Sequence, residues 1–418
     1  MTTTPKIRAS VLAALLALPL AGLATLGIST GAQAQAPAQA QGGWRKEVAD
    51  KVQAAQAAGK SGSFTEAIRL LKEAKARAPL SPQEEQGVNE LMIWAASSAK
   101  EHRLVIQTVD ERIATGRVTG ADLARKLRLK ATTHYSLREY REAAATLDKL
   151  AAQGGLNTDD LILLGNSQMA LRSFGPAAVT LEKAVAASEK AKKPAAVTSK
   201  LLQALHEAYQ QTNNEAKRMQ TLERLIVVAP SKDSFKWIAS AYSQQSANDP
   251  VVMIHIYRLG ALRNLLSPDH YARYAETALD MSSPGEAVAM LEKGMAIGAI
   301  KKDDRNNRIL ADAKAQMERV RAALPQQERE ALAIQTGEPE AKVAIGYFTL
   351  KNYAKASEAA KRGLDKGKLR RADDLHMLLG IALVESKKST EARNAFKAAG
   401  TANPKIRGIA DLWSSMAG

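Results

Sequence analysis

Two stretches decide how the chain is read: EAKVAIGYFTLKNYAKASEAAKRGL at 340–364 and HMLLGIALVESKKSTEARNAFKAAGTANP at 376–404. In the first, Ala344, Tyr347, Tyr353, Ala356 and Ala360 recur at helical spacing, and in the second Gly380, Leu383, Ala392, Phe396, Ala399 and Pro404 do the same. Small residues mark where two helices cross closely, large ones fill the gap beside them, and proline ends the second helix. Ala392 stands 36 residues after Ala356, so Glu340–Pro404 is one helical hairpin written twice.

The phase set there finds fainter copies upstream. Tyr140, Ala143 and Leu147 are answered 34 residues on by Phe174, Ala177 and Leu181, with Gly165 at the small position of the second copy. Ala55, Phe64, Ala67, Leu71, Ala74 and Pro79 form the first hairpin. Leu205, Tyr209, Leu222, Leu225 and Pro230 mark another. Ile238, Ala239 and Tyr242 open one whose second helix, Val252–Leu259, is displaced in phase. Tyr274, Ala275, Ala287, Leu291 and Gly294 mark one more. The copy around Leu91, Trp94 and Val105 is weak. Between Lys302 and Pro325 the pattern is degenerate, although the 69 residues from Ala287 to Ala356 leave room for two units.

A repeat of this length and pattern resembles the tetratricopeptide repeat family, whose unit is about 34 residues. The resemblance implies an all-α fold, a right-handed α-solenoid of about ten helical hairpins. It spans 44–418 as one repeat domain, with the helix around Ile409–Met416 as its cap. A chain with 4% aromatic residues and abundant alanine suits close helix packing and argues against a β-sandwich or barrel.

Met1–Ala36 reads as an export signal. Lys6 and Arg8 precede an uncharged apolar run from Val11 to Ile28, followed by small-x-small sites at Ala32–Ala34 and Ala34–Ala36. The competing reading is an uncleaved anchor, against which stand Pro19 and the Ala/Gly richness of the run. Residues 37–43 form an Ala/Gln/Pro/Gly linker. With no cysteine in the chain, a lipidated N-terminus and disulfides are both excluded. The expectation is a periplasmic protein with a cleaved signal, not a lipoprotein.

Chemistry-bearing motifs are scarce. Gly59-Lys60-Ser61 has the end of a phosphate loop, but Ala54 stands where that loop needs glycine, and a turn between helices explains it. His102, His134, His206, His255, His270 and His376 have no second histidine at ligand spacing, and His206 and His376 fall at packing positions. Asp159-Asp160, Asp303-Asp304 and Asp373-Asp374 sit where helices start, so capping accounts for them. No catalytic, cofactor-binding or metal site is expected.

The formal net charge of +16 favours anionic partners. Lys361, Arg362, Lys366, Lys368, Arg370 and Arg371 crowd one connection, opposed locally mainly by Asp365. They read either as a solvated turn or as a basic edge meeting an anionic envelope surface, lipid headgroups or cell-wall polymer. No aromatics are interleaved for base stacking, so nucleic acid is not an expected partner. In a stack of hairpins the first helices line one face. The stripe that repeats there gives Arg128, Thr132 and Tyr135, then Asn166 and Met169, then Gln203, Glu207 and Gln210, then Lys236, Ser240 and Ser243. A row of amides and hydroxyls suits a peptide backbone. It also describes an ordinary wet surface.

A narrower resemblance rests on Asn264–Leu266 with His270-Tyr271, Ser283–Ala287, Leu291–Gly294, Lys361–Leu364, Leu378–Ala382 and Glu391–Phe396. These runs are similar to exported tetratricopeptide proteins that accompany TonB–ExbB–ExbD systems. That resemblance implies a non-enzymatic envelope adaptor binding protein partners, TonB-system components among them. Alanine replaces larger residues at many positions here, and 302–325 departs from the pattern. The alternative expectation is a scaffold for outer-membrane or polysaccharide-export machinery that touches cell wall through the basic edge.

Overall fold

A computed structural model describes residues Gly43–Ala417 apart from Ala78, and within them twenty α-helices and no strand. The export signal and residues 37–42 of the linker lie outside the described residues. The helices divide into two compact units that meet in sequence at Glu215 and Ala216.

The first unit holds α1 (Lys46–Lys60), α2 (Phe64–Lys75), α3 (Pro82–Ser98), α4 (His102–Ala114), α5 (Gly120–Ser136), α6 (Tyr140–Ala152), α7 (Thr158–Ala170), α8 (Phe174–Lys190) and α9 (Ala195–Gln211). Helices α1 to α8 pair in order as four antiparallel hairpins, and α9 packs on α8. The repeated residues do the same work in each copy: Ala143 and Leu147, like Ala177 and Leu181, are wholly buried. Glycines occupy the closest crossings. A Cβ on Gly59 would lie 2.2 Å from the Trp94 indole, and one on Gly165 would lie 2.7 Å from Leu181.

Each hairpin turn is made the same way. The residue two before the second helix takes positive φ: Gly62, then Lys100, Arg138 and Arg172 at 58–59°. The next amide reaches back five residues, as in Glu101 N–H to the Ala96 carbonyl and Glu139 N–H to that of His134, closing the first helix in a Schellman-type turn. A side chain in this left-handed region costs about 1 kcal/mol. Glycine or asparagine would suit the backbone better.

Ion pairs about one repeat apart bind hairpin to hairpin, or tie the connection leaving a hairpin back to its first helix. Arg45 grips Glu84 through Nε and Nη2, both 3.1 Å from the carboxylate. Lys75 pairs with Glu111, Arg103 with Glu139, Arg117 with Glu85 at 3.3 Å, Lys126 with Glu90 at 2.5 Å and Lys193 with Asp159 at 3.1 Å. Glu84 also accepts from Ser81 N–H in the capping box that starts α3. The Arg45 hydrogen bond, with those backbone donors, holds its carboxyl down at about 2 against the cost of burial.

The second unit holds α10 (Glu215–Val228, its first residue belonging to the first unit), α11 (Lys232–Gln245), α12 (Pro250–Leu262), α13 (Pro268–Asp280), α14 (Pro284–Ala296), α15 (Asp304–Ala333), α16 (Glu338–Thr349), α17 (Tyr353–Lys366), α18 (Ala372–Glu385), α19 (Ser389–Ala402) and α20 (Pro404–Met416). Helices α11/α12, α13/α14, α16/α17 and α18/α19 form hairpins. Gly380 lies against Phe396, to which a Cβ would come within 2.4 Å. Within this unit α12 is buried on every face from Val252 to Gly260. That is why its apolar residues read as displaced in phase. Trp413 of α20 donates its indole N–H to the His255 carbonyl at 3.1 Å and stacks on Phe396, so the C-terminal helix rests on α12. Gly408 makes room there for Glu223 and Tyr242.

One expectation is corrected. The interval read as room for two units holds one 30-residue helix, α15, with Pro325 inside it instead of ending it. Only Ala313, Leu324 and Ala331 of this helix are buried, so no second small/large ridge was present to fold it back. Among the described residues eight hairpins lie within the two units, and α9, α10, α15 and α20 are the further helices of the twenty, in keeping with the all-α solenoid of about ten hairpins expected.

Candidate partner-binding face

The first helices α5, α7 and α9 lie side by side in the first unit and carry most of the stripe predicted to meet a partner. The structure sorts its residues into three kinds. Arg128 is committed, its Nε 2.9 Å from Asp160, which caps α7 together with Asn157. Met169 is core, 7% exposed, and Tyr135 is half-buried edge-on to Tyr140, with burial raising its phenol to about 12. Thr132 returns its hydroxyl to the Arg128 carbonyl of its own helix at 2.9 Å. The residues with accessible polar atoms are Asn166, Gln203 and Glu207, all half-buried, and the exposed Gln210. Glu207 accepts from Gln211 at 2.7 Å. Lys236, Ser240 and Ser243 lie on α11 in the second unit; the first two are exposed and Ser243 donates to Asn248.

Trp94 was not assigned to this stripe from sequence. It is half-buried, stands eight residues before the α4 start as Thr132 and Asn166 do before α6 and α8, and is held edge-on to Phe64 at 5.7 Å. The same register gave the signal, but the repeat around it was too faint to set a phase.

The basic edge is largely neutralised. Arg362 and Lys366 both reach Glu340, at 3.0 Å each, and Glu340 is 0% exposed. Arg362 also reaches Glu328, Lys361 pairs with Glu391 at 2.8 Å, and Arg371 pairs with Asp374. Asp365 is not the main counter-charge, as local spacing suggested; the acids come from helices on either side. Lys368 and Arg370 stay exposed with no ion pair from their side chains among the described residues, although the Arg370 backbone N–H donates to the Glu338 carboxylate at 2.6 Å.

The second unit instead contains a buried polar knot that the sequence did not single out. Arg258 of α12 makes a two-point pair with Glu286 (2.9 and 2.7 Å) and lies 4.6 Å from the Phe348 ring. Tyr274 and Ser283 donate to the same carboxylate at 2.7 and 2.6 Å. Burial pushes the Glu286 carboxyl up, but Arg258 and these donors outweigh it and leave it below its ordinary range. With four donors already on it, Glu286 has little left to offer a substrate. His255 is buried and held neutral by that burial, its Nε2 3.5 Å from Asp374. The remaining histidines are scattered: His134 contacts Glu139 at 2.8 Å, His270 caps α13 through Ser267, and His206 is buried.

Among the described residues no group of histidine, aspartate and glutamate has metal-binding geometry, and no helix is long and apolar enough to cross a membrane. Gly59-Lys60-Ser61 ends α1, with the glycine under Trp94.

Corresponding helices that start 34 to 38 residues apart within each unit, small residues at the closest crossings and turns in one register define the architecture. The fold is a tetratricopeptide-type α-solenoid. No family model matches the chain, and no curated protein matches it. Among solved structures this tetratricopeptide-type chain is similar to a tetratricopeptide repeat protein from Parabacteroides merdae, with 11% identity over 88% of this chain and 99% of that one (TM-score 0.34). It is also similar to the Naa15/Naa10 assembly bound to HypK, with 14% identity over 87% and 54% of the two chains (TM-score 0.40). A third likeness is to the TPR2AB domain of yeast Sti1 in its pHSP90 complex, with 13% identity over 71% and 99% (TM-score 0.26). None of the three bears on what this chain binds.

Proposed function

We propose that the protein is a non-enzymatic adaptor that holds an extended segment of a partner protein along α5, α7 and α9. The observation that carries this reading is the succession Asn166, Gln203, Glu207 and Gln210. Each is accessible, and none is spent on joining one hairpin to the next. Side-chain amides offer both donors and acceptors, the complement of a peptide backbone. The second unit contrasts with this, since its Arg258–Glu286 knot is satisfied internally.

The export signal read at Met1–Ala36 puts this adaptor in the periplasm, and the narrower resemblance favours TonB-dependent transport as its setting. The cell-wall alternative draws less support, because the edge it relies on is paired through Glu340, Glu328, Glu391 and Asp374. Replacing Gln203, Glu207 and Gln210 together with alanine, then cross-linking and recovering partners from envelope fractions, tests the adaptor reading. Loss of a partner that the parent chain retains is expected. Undiminished recovery would overturn the placement, and sedimentation with purified peptidoglycan at physiological salt would favour the cell-wall scaffold.

A further inference from the structure

At the turn between the helices of α3/α4, α5/α6 and α7/α8 stand Lys100, Arg138 and Arg172, each at positive φ and each exposed. The backbone does not ask for a cation there; glycine at Gly62 makes the same turn without strain. None of the three has an ion-pair partner among the described residues, although ion pairs join most neighbouring hairpins. Arg172 only leans toward Phe174, 6.0 Å from its ring. Of the adjacent acids, Glu139 is taken by Arg103 and His134, and Glu101 flanks Lys100. In a hairpin stack the turns within hairpins share one edge, so these cations come at one per repeat along that edge.

The residue before two of the three cations adds a second property. Leu137 precedes Arg138 and Leu171 precedes Arg172, and Leu171 is 38% exposed. An apolar side chain beside a cation, repeated at successive tips, matches the boundary between headgroups and acyl chains. A soluble polyanion would use the charges and have no use for the leucines. We infer that this turn edge of the first unit docks the protein on an anionic lipid bilayer. The anionic contact expected from sequence thus moves from the paired 361–371 segment to the hairpin tips. The contact is peripheral and leaves α5, α7 and α9 for a protein partner. In the second unit Lys351 and Lys387 hold the same position in their own hairpins, and Leu350 precedes the first of them.

The test uses the full chain and a substitution that suits the backbone: Lys100→Gly, Arg138→Gly and Arg172→Gly together. Each removes a charge while glycine keeps the left-handed turn, so melting should be unchanged or raised. Co-sedimentation is measured with vesicles of phosphatidylcholine doped with phosphatidylglycerol and with phosphatidylcholine alone. The parent is expected to bind only the doped vesicles, and less as salt rises. A cation near such a surface is worth roughly a fivefold gain in partitioning, so the triple variant should lose about a hundredfold. Leu171→Ser should weaken vesicle binding and leave retention on immobilised polyphosphate unchanged. The inference fails if the parent ignores doped vesicles, if the triple variant binds like the parent, or if Leu171→Ser has no effect on vesicles.

Discussion

The two units solve one packing problem in opposite ways. In the first, consecutive first helices lie side by side and keep Asn166, Gln203, Glu207 and Gln210 accessible. In the second, α12 is buried on every face and spends its polar groups inward: Arg258 on Glu286, the His255 carbonyl on Trp413. A helix that contacts several others is well held, but it has no face left for a partner. Under the proposed adaptor reading, recognition falls to the first unit, while the second is the more internally tied.

The sharpest way to break that contrast is Arg258→Met. It leaves a buried carboxylate with only Tyr274 and Ser283 as donors, and should cost about 3 kcal/mol. Hydrogen exchange should localise the loss to α12–α14, with α1–α8 protected as before; equal loss in the first unit would end the distinction. Gly380→Trp comes next, at about 2–3 kcal/mol, because even a Cβ would meet Phe396. Chemical denaturation with a probe on α19 should report it, and unchanged stability would misplace the last hairpin.

Arg45→Ala is a smaller change in the first unit, read as a modest loss of stability in urea denaturation near neutral pH. Glu84 has a depressed pKa in the folded state, so its stabilisation is present above the ordinary carboxylate range and is lost as pH falls toward about 2. The substitution should therefore flatten the acid limb of the stability curve. Smallest, and of opposite sign, is Glu223→Gln. Burial raises the Glu223 carboxyl, Asp411 adds to it, and the Tyr242 hydroxyl at 2.6 Å opposes it. A raised carboxyl favours the folded state below its ordinary pKa, and that contribution is lost as pH rises through the folded value. The parent-minus-variant difference in melting temperature should grow on mild acidification. A flat difference would count against a strained carboxyl beneath α20.

The fold was legible where each copy repeats both a small and a large residue, as at Tyr140–Leu147 and Phe174–Leu181. At α12 the helix was legible but its phase was displaced, because a helix buried all round has no polar face to mark its period. It was misread at α15, where Pro325 looks like a stop and the structure tolerates it inside a helix. The site was half legible. Periodicity put Thr132, Asn166 and Glu207 in register, but could not show that Arg128 answers Asp160, 32 residues on. The basic edge failed for the same reason. Glu328 lies 34 residues before Arg362, so counting charges nearby misses the partner that matters.

Pairs separated by one repeat carry a consequence for how such a chain changes over generations. Adding or losing a single residue inside a hairpin turns its charges away from those of both neighbours. Duplicating or deleting a whole repeat presents each new junction with charges already in register. Lys75–Glu111, Lys126–Glu90 and Lys193–Asp159 thus act as spelling rules, tolerant of whole words and intolerant of single letters.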